Sequence, residues 1–336
     1  MDCQGPFLAI PTKRGAVPTL TPAQVNAILE PSERILATSV FEAIDFVKPC
    51  VESRMSLSAY CGLSGYKTVL TLRSSFYGLH ASASSTDSAV AGDSEKGRTV
   101  LSFEKWCDVV KATQPTMAVS LHESVPLSEP INKRRRVATA RSEAWLAKTQ
   151  NTSGLMCTIL PSISFTHTHD SGYIEAVPRG ENICEFFQTL QSLQLSAKKF
   201  TMCVAPSITA LLAAMASSVS LIECPFPWAL AEKGVALQLP IGDSATVASA
   251  PVPPLVDLND SIFTLDIDPI AEGCDCFTCK RHCRAYLHHL LTVQEMNSDI
   301  LLVIHNLTQV VRLVRSYRCA DTPTREALVC RVASVL

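Results

Sequence analysis

Short apolar runs alternate with longer amphipathic stretches along most of the chain. Apolar runs bounded by turn-forming residues predict buried strands, for example at residues 7–10, 68–72, 116–121 and 202–204. Stretches with helical spacing, such as residues 208–216, separate many of these runs. About seven or eight strands alternating with helices of about 10–15 residues predict parallel βαβ units. The predicted fold class is therefore α/β, with a TIM-type (β/α)8 barrel favoured over an open sheet.

Two helices have particularly clear sequence signals. Thr21 is a good N-cap residue, and Pro22 follows it at the first helical position, so a helix is predicted to begin there. Near the C-terminus, residues 300–314 carry an apolar stripe at helical spacing, which predicts a long helix packed on the core. A further helix is predicted at residues 184–195.

Other stretches lack any periodicity. Residues 82–97 are rich in Ser, Ala, Asp and Gly and are predicted to form a loop. Residues 248–254 are rich in Ala and Pro and are predicted to form a linker or an extended loop. Residues 165–171 lack the pattern of a crossover helix, which would be expected between two strands. Whether the barrel is complete or incomplete therefore stays open at this stage.

Composition narrows the function classes. The chain has 336 residues, of which 47% are hydrophobic, and a formal net charge of −2, which argues against a uniformly basic nucleic-acid binder. The sequence lacks an apolar run of 18 or more residues, and it opens with Met1-Asp2-Cys3-Gln4 rather than a signal-peptide pattern. Its 14 cysteines are mostly scattered, so we expect reduced thiols and a reducing compartment, with the cytosol as the default.

Three cysteines form a cluster with metal-ligand spacing near the C-terminus. Cys274, Cys276 and Cys279 lie within six residues, and thiolates are preferred ligands of zinc. A fourth ligand must come from elsewhere, and spacing alone allows either His305 on the predicted long helix or Cys283. Unmodified thiols or a disulfide framework are the alternative explanations of such a cluster.

A short basic cluster is the other candidate site. It consists of Lys133, Arg134, Arg135 and Arg136 and precedes a helical pattern. Such a run is able to contact nucleic-acid phosphates or to act as a nuclear import signal, but short basic runs are more often solvated helix starts.

The last third of the chain resembles a known family. The cysteine cluster is followed by Arg-Ala-Tyr-Leu-His-His-Leu at residues 284–290 and by Ile-His-Asn-Leu at residues 304–307. This combination closely resembles the tRNA-guanine transglycosylase, or queuine tRNA-ribosyltransferase, family. The resemblance is weaker upstream, at Thr-Lys-Arg-Gly of residues 12–15 and Ile-Glu-Cys-Pro-Phe-Pro of residues 222–227.

The resemblance implies a fold, a ligand set and an activity. The family fold is a (β/α)8 barrel with a zinc subdomain, which corresponds here to a barrel over residues 1–250 and a zinc-binding subdomain with closing helices over residues 251–336. The implied cofactor is one structural Zn²⁺ held by Cys274, Cys276, Cys279 and His305. Catalytic members exchange a guanine of tRNA for a queuine-type base, with one Asp as covalent nucleophile and another as general acid/base.

The chain departs from the family pattern at four catalytic features. Glu223 occupies the nucleophile position, where it is one methylene longer than Asp. Residues 86–89 replace the stretch with the second Asp, His122 replaces the base-recognising Asp, and residues 171–176 are all that is left of the glycine-rich base-binding loop. Retained catalysis is therefore not expected, because small displacements of a nucleophile cost large factors in rate.

These losses predict a supporting role rather than a catalytic one. Eukaryotic members of the family work as heterodimers of a catalytic chain and a degenerate non-catalytic chain, and this chain resembles the second kind. The expected partners are the catalytic subunit and tRNA, and the expected compartment is the cytoplasm, with the nucleus or the mitochondrial outer surface as alternatives. The alternatives in function are an active enzyme that uses Glu223 as nucleophile and, more weakly, a zinc-containing RNA-binding module.

Overall fold

Eight parallel strands form the central sheet of the protein. The structure is a computed structural model, and it describes residues 5–76, 85–94, 96–123, 132–161, 171–174, 200–241 and 253–336. Within these residues the strands are β1 Phe7–Pro11, β2 Ile35–Ser39, β3 Lys67–Thr71, β4 Ala89–Ser94, β5 Gly97–Ser102, β6 Met117–Val119, β7 Thr158–Leu160, β8 Ser171–Ile174, β9 Phe200–Val204, β10 Leu221–Glu223, β11 Val235–Leu237 and β12 Leu255–Asp257. The large sheet has the order β7-β6-β3-β2-β1-β10-β9-β8.

This strand order is that of a singly wound barrel. Neighbouring strands of the large sheet follow one another along the chain, except that the first strand, β1, pairs with the last, β10. All pairs are parallel. The two ends of the sheet meet between β7 and β8, where the Tyr173 amide donates a hydrogen bond of 2.8 Å to the Pro161 carbonyl. The predicted (β/α)8 barrel is confirmed, and with eight strands it is nearly closed.

The inside of the barrel is filled by alternate residues of these strands. The buried side chains that share this interior are Ala9, Ile35, Ala37, Val69, Val119, Leu160, Tyr173, Met202, Val204 and Leu221. Every second residue of a strand faces the same side of a sheet, so the positions between them face outward toward the helices. This pattern fixes which residues at the strand ends point into the barrel mouth.

Helices surround the barrel and extend beyond it. They are α1 Pro22–Ile28, α2 Val40–Ala43, α3 Val47–Ser53, α4 Leu57–Tyr60, α5 Phe103–Thr113, α6 Lys133–Gln150, α7 Ile208–Ala216, α8 Phe226–Ala231, α9 Phe277–Arg281, α10 Arg284–Thr292, α11 Asn297–Cys319 and α12 Thr322–Ala333. The start of α1 follows the predicted signal, since Thr21 and Gln24 form a reciprocal capping box with Pro22 at the first position. None of the helices described is both long and apolar enough to cross a membrane.

Two loop predictions differ from the structure. Residues 89–94 and 97–102 form the antiparallel hairpin of β4 and β5, although residues 82–97 were predicted to be a loop. Residues 171–174 form barrel strand β8, although residues 171–176 were expected to be what is left of the base-binding loop. The predicted helix at residues 184–195 and most of the predicted linker at residues 248–254 lie outside the described residues.

Among the described contacts between the C-terminal helices and the barrel, two bear on how the two parts of the chain are connected. The β11–β12 ribbon pairs residues on both sides of the predicted domain boundary at residue 250, and that boundary stays a prediction. Helix α11 is tied to the connection between β1 and β2 by Glu33, whose buried carboxylate accepts hydrogen bonds from Arg315 Nε at 3.0 Å and Arg318 Nη2 at 2.7 Å. The metal-ligand cluster is therefore packed on the barrel rather than tethered to it.

Candidate metal centre and barrel mouth

The cysteine cluster and His305 come together in the folded chain. Each residue offers one ligand atom, and these atoms all lie within 4.8 Å of one another. The distances from His305 Nδ1 to the sulfurs of Cys274, Cys276 and Cys279 are 3.8, 3.5 and 3.2 Å. Cys283, the alternative fourth ligand from spacing, is not one of these four residues and instead precedes the first residue of α10.

Local structure explains how three thiols of one short segment converge. Gly273 has a positive φ of 69°, which turns the chain just before Cys274 at no steric cost. Cys276 is the N-cap of α9, and its sulfur accepts a hydrogen bond of 3.3 Å from the Cys279 amide. The Thr278 hydroxyl donates to the Leu301 carbonyl at 2.6 Å, so α9 is fixed on α11.

The ring of His305 is held in one orientation from the opposite side. Its Nε2 lies 2.7 Å from the Leu237 carbonyl oxygen, so Nε2 carries the proton and Nδ1 faces the sulfurs. The neighbouring Asn306 side chain binds the same strand, accepting from the Leu237 amide at 2.8 Å and donating to the Val235 carbonyl at 3.0 Å. Strand β11 therefore positions the imidazole.

The spacing of the donor atoms suits a tetrahedral ion. With Zn–S bonds of about 2.3 Å and Zn–N bonds of about 2.0–2.1 Å, tetrahedral geometry places sulfur and nitrogen donors about 3.6 Å apart. The three observed nitrogen–sulfur distances scatter around that value. His305 is fully buried and Cys274 and Cys276 are buried, so three of the four donors are shielded from solvent.

Electrostatics within the cluster favour a bound cation. Hydrogen bonds with the thiols of Cys276 and Cys279 lower the pKa of Cys274 far below its usual range. Burial acts to lower the pKa of His305, but hydrogen bonds with Cys274 and Cys279 outweigh it and raise the pKa to about 9. The same hydrogen bonds raise the pKa of Cys276, so the thiols and His305 share protons among them, and a divalent cation would replace these shared protons on binding.

One residue that the sequence did not single out also contacts the cluster. The side-chain amide of Gln309, one helical turn beyond His305, donates a hydrogen bond of 3.3 Å to the sulfur of Cys274. Gln309 is buried, and hydrogen bonds of this kind orient metal ligands and adjust their charge. The sequence signal for this contact was that Gln309 lies four residues after His305 on a predicted helix, and therefore on the same helix face.

Glu223 lies at the other notable site, the carboxyl-terminal mouth of the barrel. It is the last residue of β10 and pairs with Ala9 and Val204, which both face the barrel interior. Its side chain is buried, and Oε2 has no hydrogen-bond partner among the described residues. Burial raises the pKa of Glu223 to about 7; the nearby Ser75 hydroxyl opposes the rise, and the carboxylate of Glu42 adds to it.

The other altered catalytic positions are divided between the mouth and the surface. His122, which follows β6, is buried, with its ring 6.0 Å from that of Tyr173. Asp87 instead lies on the surface before β4 and forms an ion pair of 2.6 Å with Arg141. The structure therefore brings His122 and Glu223 to the same end of the barrel but leaves Asp87 exposed.

The basic cluster occupies the first turn of α6. Lys133, Arg134 and Arg136 are exposed, and Arg135 is half-buried. Because α6 follows β6 along the chain, its N-terminus lies at the carboxyl-terminal end of the barrel, on the side of Glu223. The positive end of the helix dipole adds to the four charges there.

Comparison with known proteins identifies the family. A model of the queuine tRNA-ribosyltransferase family matches residues 2–320. The chain belongs to this family. Among curated relatives, a Drosophila virilis protein named queuine tRNA-ribosyltransferase accessory subunit 2 is 24% identical over 91% of this chain and 80% of its own length. Proteins of the same name from Caenorhabditis elegans and Xenopus tropicalis are 39% and 44% identical, over 29% and 19% of this chain and 26% and 15% of their own lengths.

Membership of the queuine tRNA-ribosyltransferase family accounts for both sites together. The barrel places Glu223 at the end of its eighth strand, where the resemblance puts the family's nucleophile. The four metal-ligand residues stand in the order and spacing that the family resemblance implies. Glu223 and the Cys3His group therefore lie where the family resemblance leads one to expect a nucleophile and a set of metal ligands.

Proposed function

We propose that this chain is the non-catalytic accessory subunit of a heterodimeric queuine tRNA-ribosyltransferase. It pairs with the catalytic subunit, and the pair exchanges guanine for queuine at the wobble position of the tRNA anticodon. One contrast carries the proposal: the four metal-ligand side chains are assembled with suitable donor distances, whereas the nucleophile position holds a buried glutamate. The accessory-subunit names of the curated relatives support the same conclusion.

The state of Glu223 argues against a catalytic role. A carboxylate nucleophile must be ionised, and a pKa of about 7 leaves a large fraction of Glu223 protonated at neutral pH. The extra methylene also moves the carboxylate by about 1 Å, which is enough to cost about 100-fold in rate. A covalent RNA adduct on Glu223 that is absent from Glu223→Gln would contradict this conclusion.

The metal of the four-residue cluster is proposed to be a single structural Zn²⁺. Three cysteines and one histidine are a donor set that zinc prefers, and the buried site leaves no coordination position for a substrate. The ion would hold the segment of α9 against α11 and would take no part in base exchange.

Pairing with the catalytic subunit is proposed to use the exposed aromatic side chains beside the metal cluster. The rings of His282 and Tyr286 are stacked with centroids 5.0 Å apart, and Phe277 lies 6.0 Å from His282. Phe277 and Tyr286 are 47% and 40% exposed. Aromatic residues are enriched at the centres of protein–protein interfaces, and the metal would keep this cluster rigid.

Positioning of tRNA is proposed to involve Lys133, Arg134, Arg135 and Arg136. Their place at the carboxyl-terminal end of the barrel supports this role, because the N-terminus of α6 and the basic side chains together favour phosphate groups. The first turn of α6 contains no acidic residue that would compensate these charges.

Reconstitution from purified chains tests the proposal. We expect this chain to co-purify with the catalytic subunit, to show no base exchange alone, and to raise the activity of the catalytic subunit when the two are combined. Queuine or guanine incorporation into tRNA by the lone chain would contradict the non-catalytic role. Absence of any complex between the two chains would contradict the pairing.

A further inference from the structure

A second exposed surface lies beside α10 and consists of residues 261–268, which we call the apolar loop. Ile262, Leu265 and Ile267 in this loop are 71%, 87% and 83% exposed. Large aliphatic side chains scattered singly over a surface need no explanation, but three exposed ones within six residues are a concentration of apolar surface of the kind that marks an interaction site.

The apolar loop is held in a fixed conformation. Asp266 in the loop forms an ion pair of 3.0 Å with Arg284 of α10. The backbone amides of Arg284 and Ala285 donate to the carbonyls of Asp268 and Asp266 at 2.9 and 2.7 Å. Because the loop is already ordered, a partner that covers it would bind with little loss of conformational entropy.

The charges around the apolar loop define what binds there. Residues 253–279 contain six acidic residues and no Lys, Arg or His. Five of the six acids are exposed, and the sixth is the half-buried Asp266. Asp266 is paired with Arg284 and Asp275 lies 4.0 Å from Arg312, so the acids that border the exposed apolar side chains are chiefly Asp260 and Asp268. These two carboxylates disfavour RNA phosphates and anionic lipid headgroups and fit a protein surface that carries an apolar patch bordered by lysine or arginine.

The position of the apolar loop indicates which protein this is. The loop contacts one side of α10, and the stacked Tyr286 lies on another side of the same helix. A helix is about 10–12 Å wide with its side chains. A standard interface of about 800 Å² per partner is about 30 Å across, so a subunit seated on Tyr286 is wide enough to cover the loop as well.

We infer that the apolar loop is a second contact for the catalytic subunit, which covers Ile262, Leu265 and Ile267 with an apolar patch bordered by basic residues. This inference rests on the proposed heterodimer and extends it beyond the aromatic cluster. In this inference, the acidic charges around the loop guide a basic partner surface into place.

The dissociation constant of the heterodimer tests the inference. In the full-length chain, Ile262→Ser, Leu265→Ser and Ile267→Ser combined should weaken binding of the catalytic subunit about tenfold or more, because apolar area at an interface is lost. These side chains are exposed, so metal content and melting temperature should not change. The matched control replaces three exposed apolar residues of the barrel region by Ser, at Val51, Val100 and Met156, and should leave the dissociation constant unchanged.

The outcomes separate this inference from the proposed function. Unchanged affinity of the loop variant, with weakened binding by Tyr286→Ala, would overturn the second contact and leave the heterodimer standing. Failure of the unmodified chain to bind the catalytic subunit would overturn the proposed function itself. A loop variant that loses tRNA binding but not subunit binding would also overturn the inference, because the loop would then contact RNA.

Charge reversal tests the guiding role of the acidic surface. Asp260→Lys combined with Asp268→Lys should slow association with the catalytic subunit about tenfold at low salt, and the difference should shrink at high salt. An association rate that is unchanged at low salt would exclude a basic border on the partner surface.

Discussion

The metal centre and the barrel mouth both bury polar groups, but they differ in how completely those groups are satisfied. At the metal centre, His305 donates from Nε2 to a backbone carbonyl and Cys274 accepts from Gln309. At the mouth, Glu223 keeps one carboxylate oxygen without a hydrogen-bond partner among the described residues, and burial raises its pKa to about 7. An unsatisfied buried polar group costs about 1–3 kcal/mol, and the protein tolerates this cost at the mouth.

This difference indicates which site the fold depends on. Cys274 and Cys276 lie in the segment that leads into α9, Cys279 lies in α9 and His305 in α11. His305 and its neighbour Asn306 bind β11, so the candidate metal centre joins three elements. Glu223 ends a strand whose backbone pairing does not require its side chain. Changes at the metal centre should therefore affect folding and assembly, whereas changes at Glu223 should not reduce stability.

The largest expected effect comes from removing the metal. His305→Ala, or chelation of the unmodified chain, should unfold the region around α9 and release the catalytic subunit, because structural zinc contributes on the order of 10 kcal/mol of local folding free energy. Metal analysis together with thermal unfolding measures this. Cys283→Ser is the matched control and should keep both metal and stability, since Cys283 lies outside the ligand cluster. A metal-free chain that folds and pairs normally would contradict the role of the site.

The next largest effect on stability is expected at Glu33, whose ion pairs connect α11 to the segment between β1 and β2. Glu33→Gln leaves the guanidinium of Arg318 buried without its carboxylate, which should cost about 3–5 kcal/mol in the free energy of unfolding. Glu30→Gln is the matched control, because Glu30 is exposed and lies 3.6 Å from Arg315. Denaturant unfolding measures both, and equal stabilities of the two variants would show that the buried pair contributes nothing.

The stability that the ion pairs of Glu33 contribute should depend on pH in a defined direction. Burial acts to raise the pKa of Glu33, but hydrogen bonds from Arg315 and Arg318 outweigh it and hold the pKa below its usual value of 4.5. A lowered pKa in the folded state means that this stabilisation is present above about pH 4.5 and is lost as the pH falls through the folded value. Stability curves of the unmodified chain and Glu33→Gln should therefore converge in acid.

At the barrel mouth, replacing the buried carboxylate is expected to raise the stability of the protein instead of lowering it. Because the folded pKa of Glu223 is raised, ionisation costs stability as the pH rises from 4.5 to about 7, by about 3 kcal/mol at most. Glu223→Gln avoids that cost and should be more stable than the unmodified chain at pH 8, with little difference near pH 4. Unfolding at the two pH values measures this, and a loss of stability at pH 8 would mean that the ionised carboxylate has a partner.

The smallest effect is expected at the basic cluster. Changing Lys133, Arg134, Arg135 and Arg136 to Gln should flatten the salt dependence of tRNA binding by the heterodimer, because fewer counterions are released from the phosphates. Binding measured over a range of salt concentrations gives the slope. An unchanged slope would leave the cluster as a solvated helix start.

Much of the barrel could be predicted from the sequence because its strands are short apolar runs and its helices carry capping signals such as Thr21 and Pro22. The clustering of Cys274, Cys276, Cys279 and His305 was also predicted, although spacing alone could not separate His305 from Cys283. That choice depends on how α11 returns past the cysteine segment, which local spacing does not encode.

Other features depend on tertiary contacts that leave no local pattern. The hairpin of β4 and β5 was missed because its first strand has only three apolar residues, Ala-Val-Ala, and then Gly92. A side chain at Gly92 would collide with the ring of Phe41. Strand β8 was assigned to a loop because it has only four residues, Ser-Gly-Tyr-Ile, too few to show an alternating pattern. The burial of Glu33 was not predicted either, since its two arginine partners lie more than 280 residues away.

In its proposed role, this chain supports base exchange without taking part in its chemistry. The most direct measurement is the rate of guanine exchange in tRNA by a heterodimer that contains Glu223→Gln in this chain and an unmodified catalytic subunit. We predict the same rate as for the unmodified heterodimer, because Glu223 reacts with nothing. A rate reduced about 100-fold or more, with the heterodimer intact, would show that Glu223 is catalytic and would contradict the account.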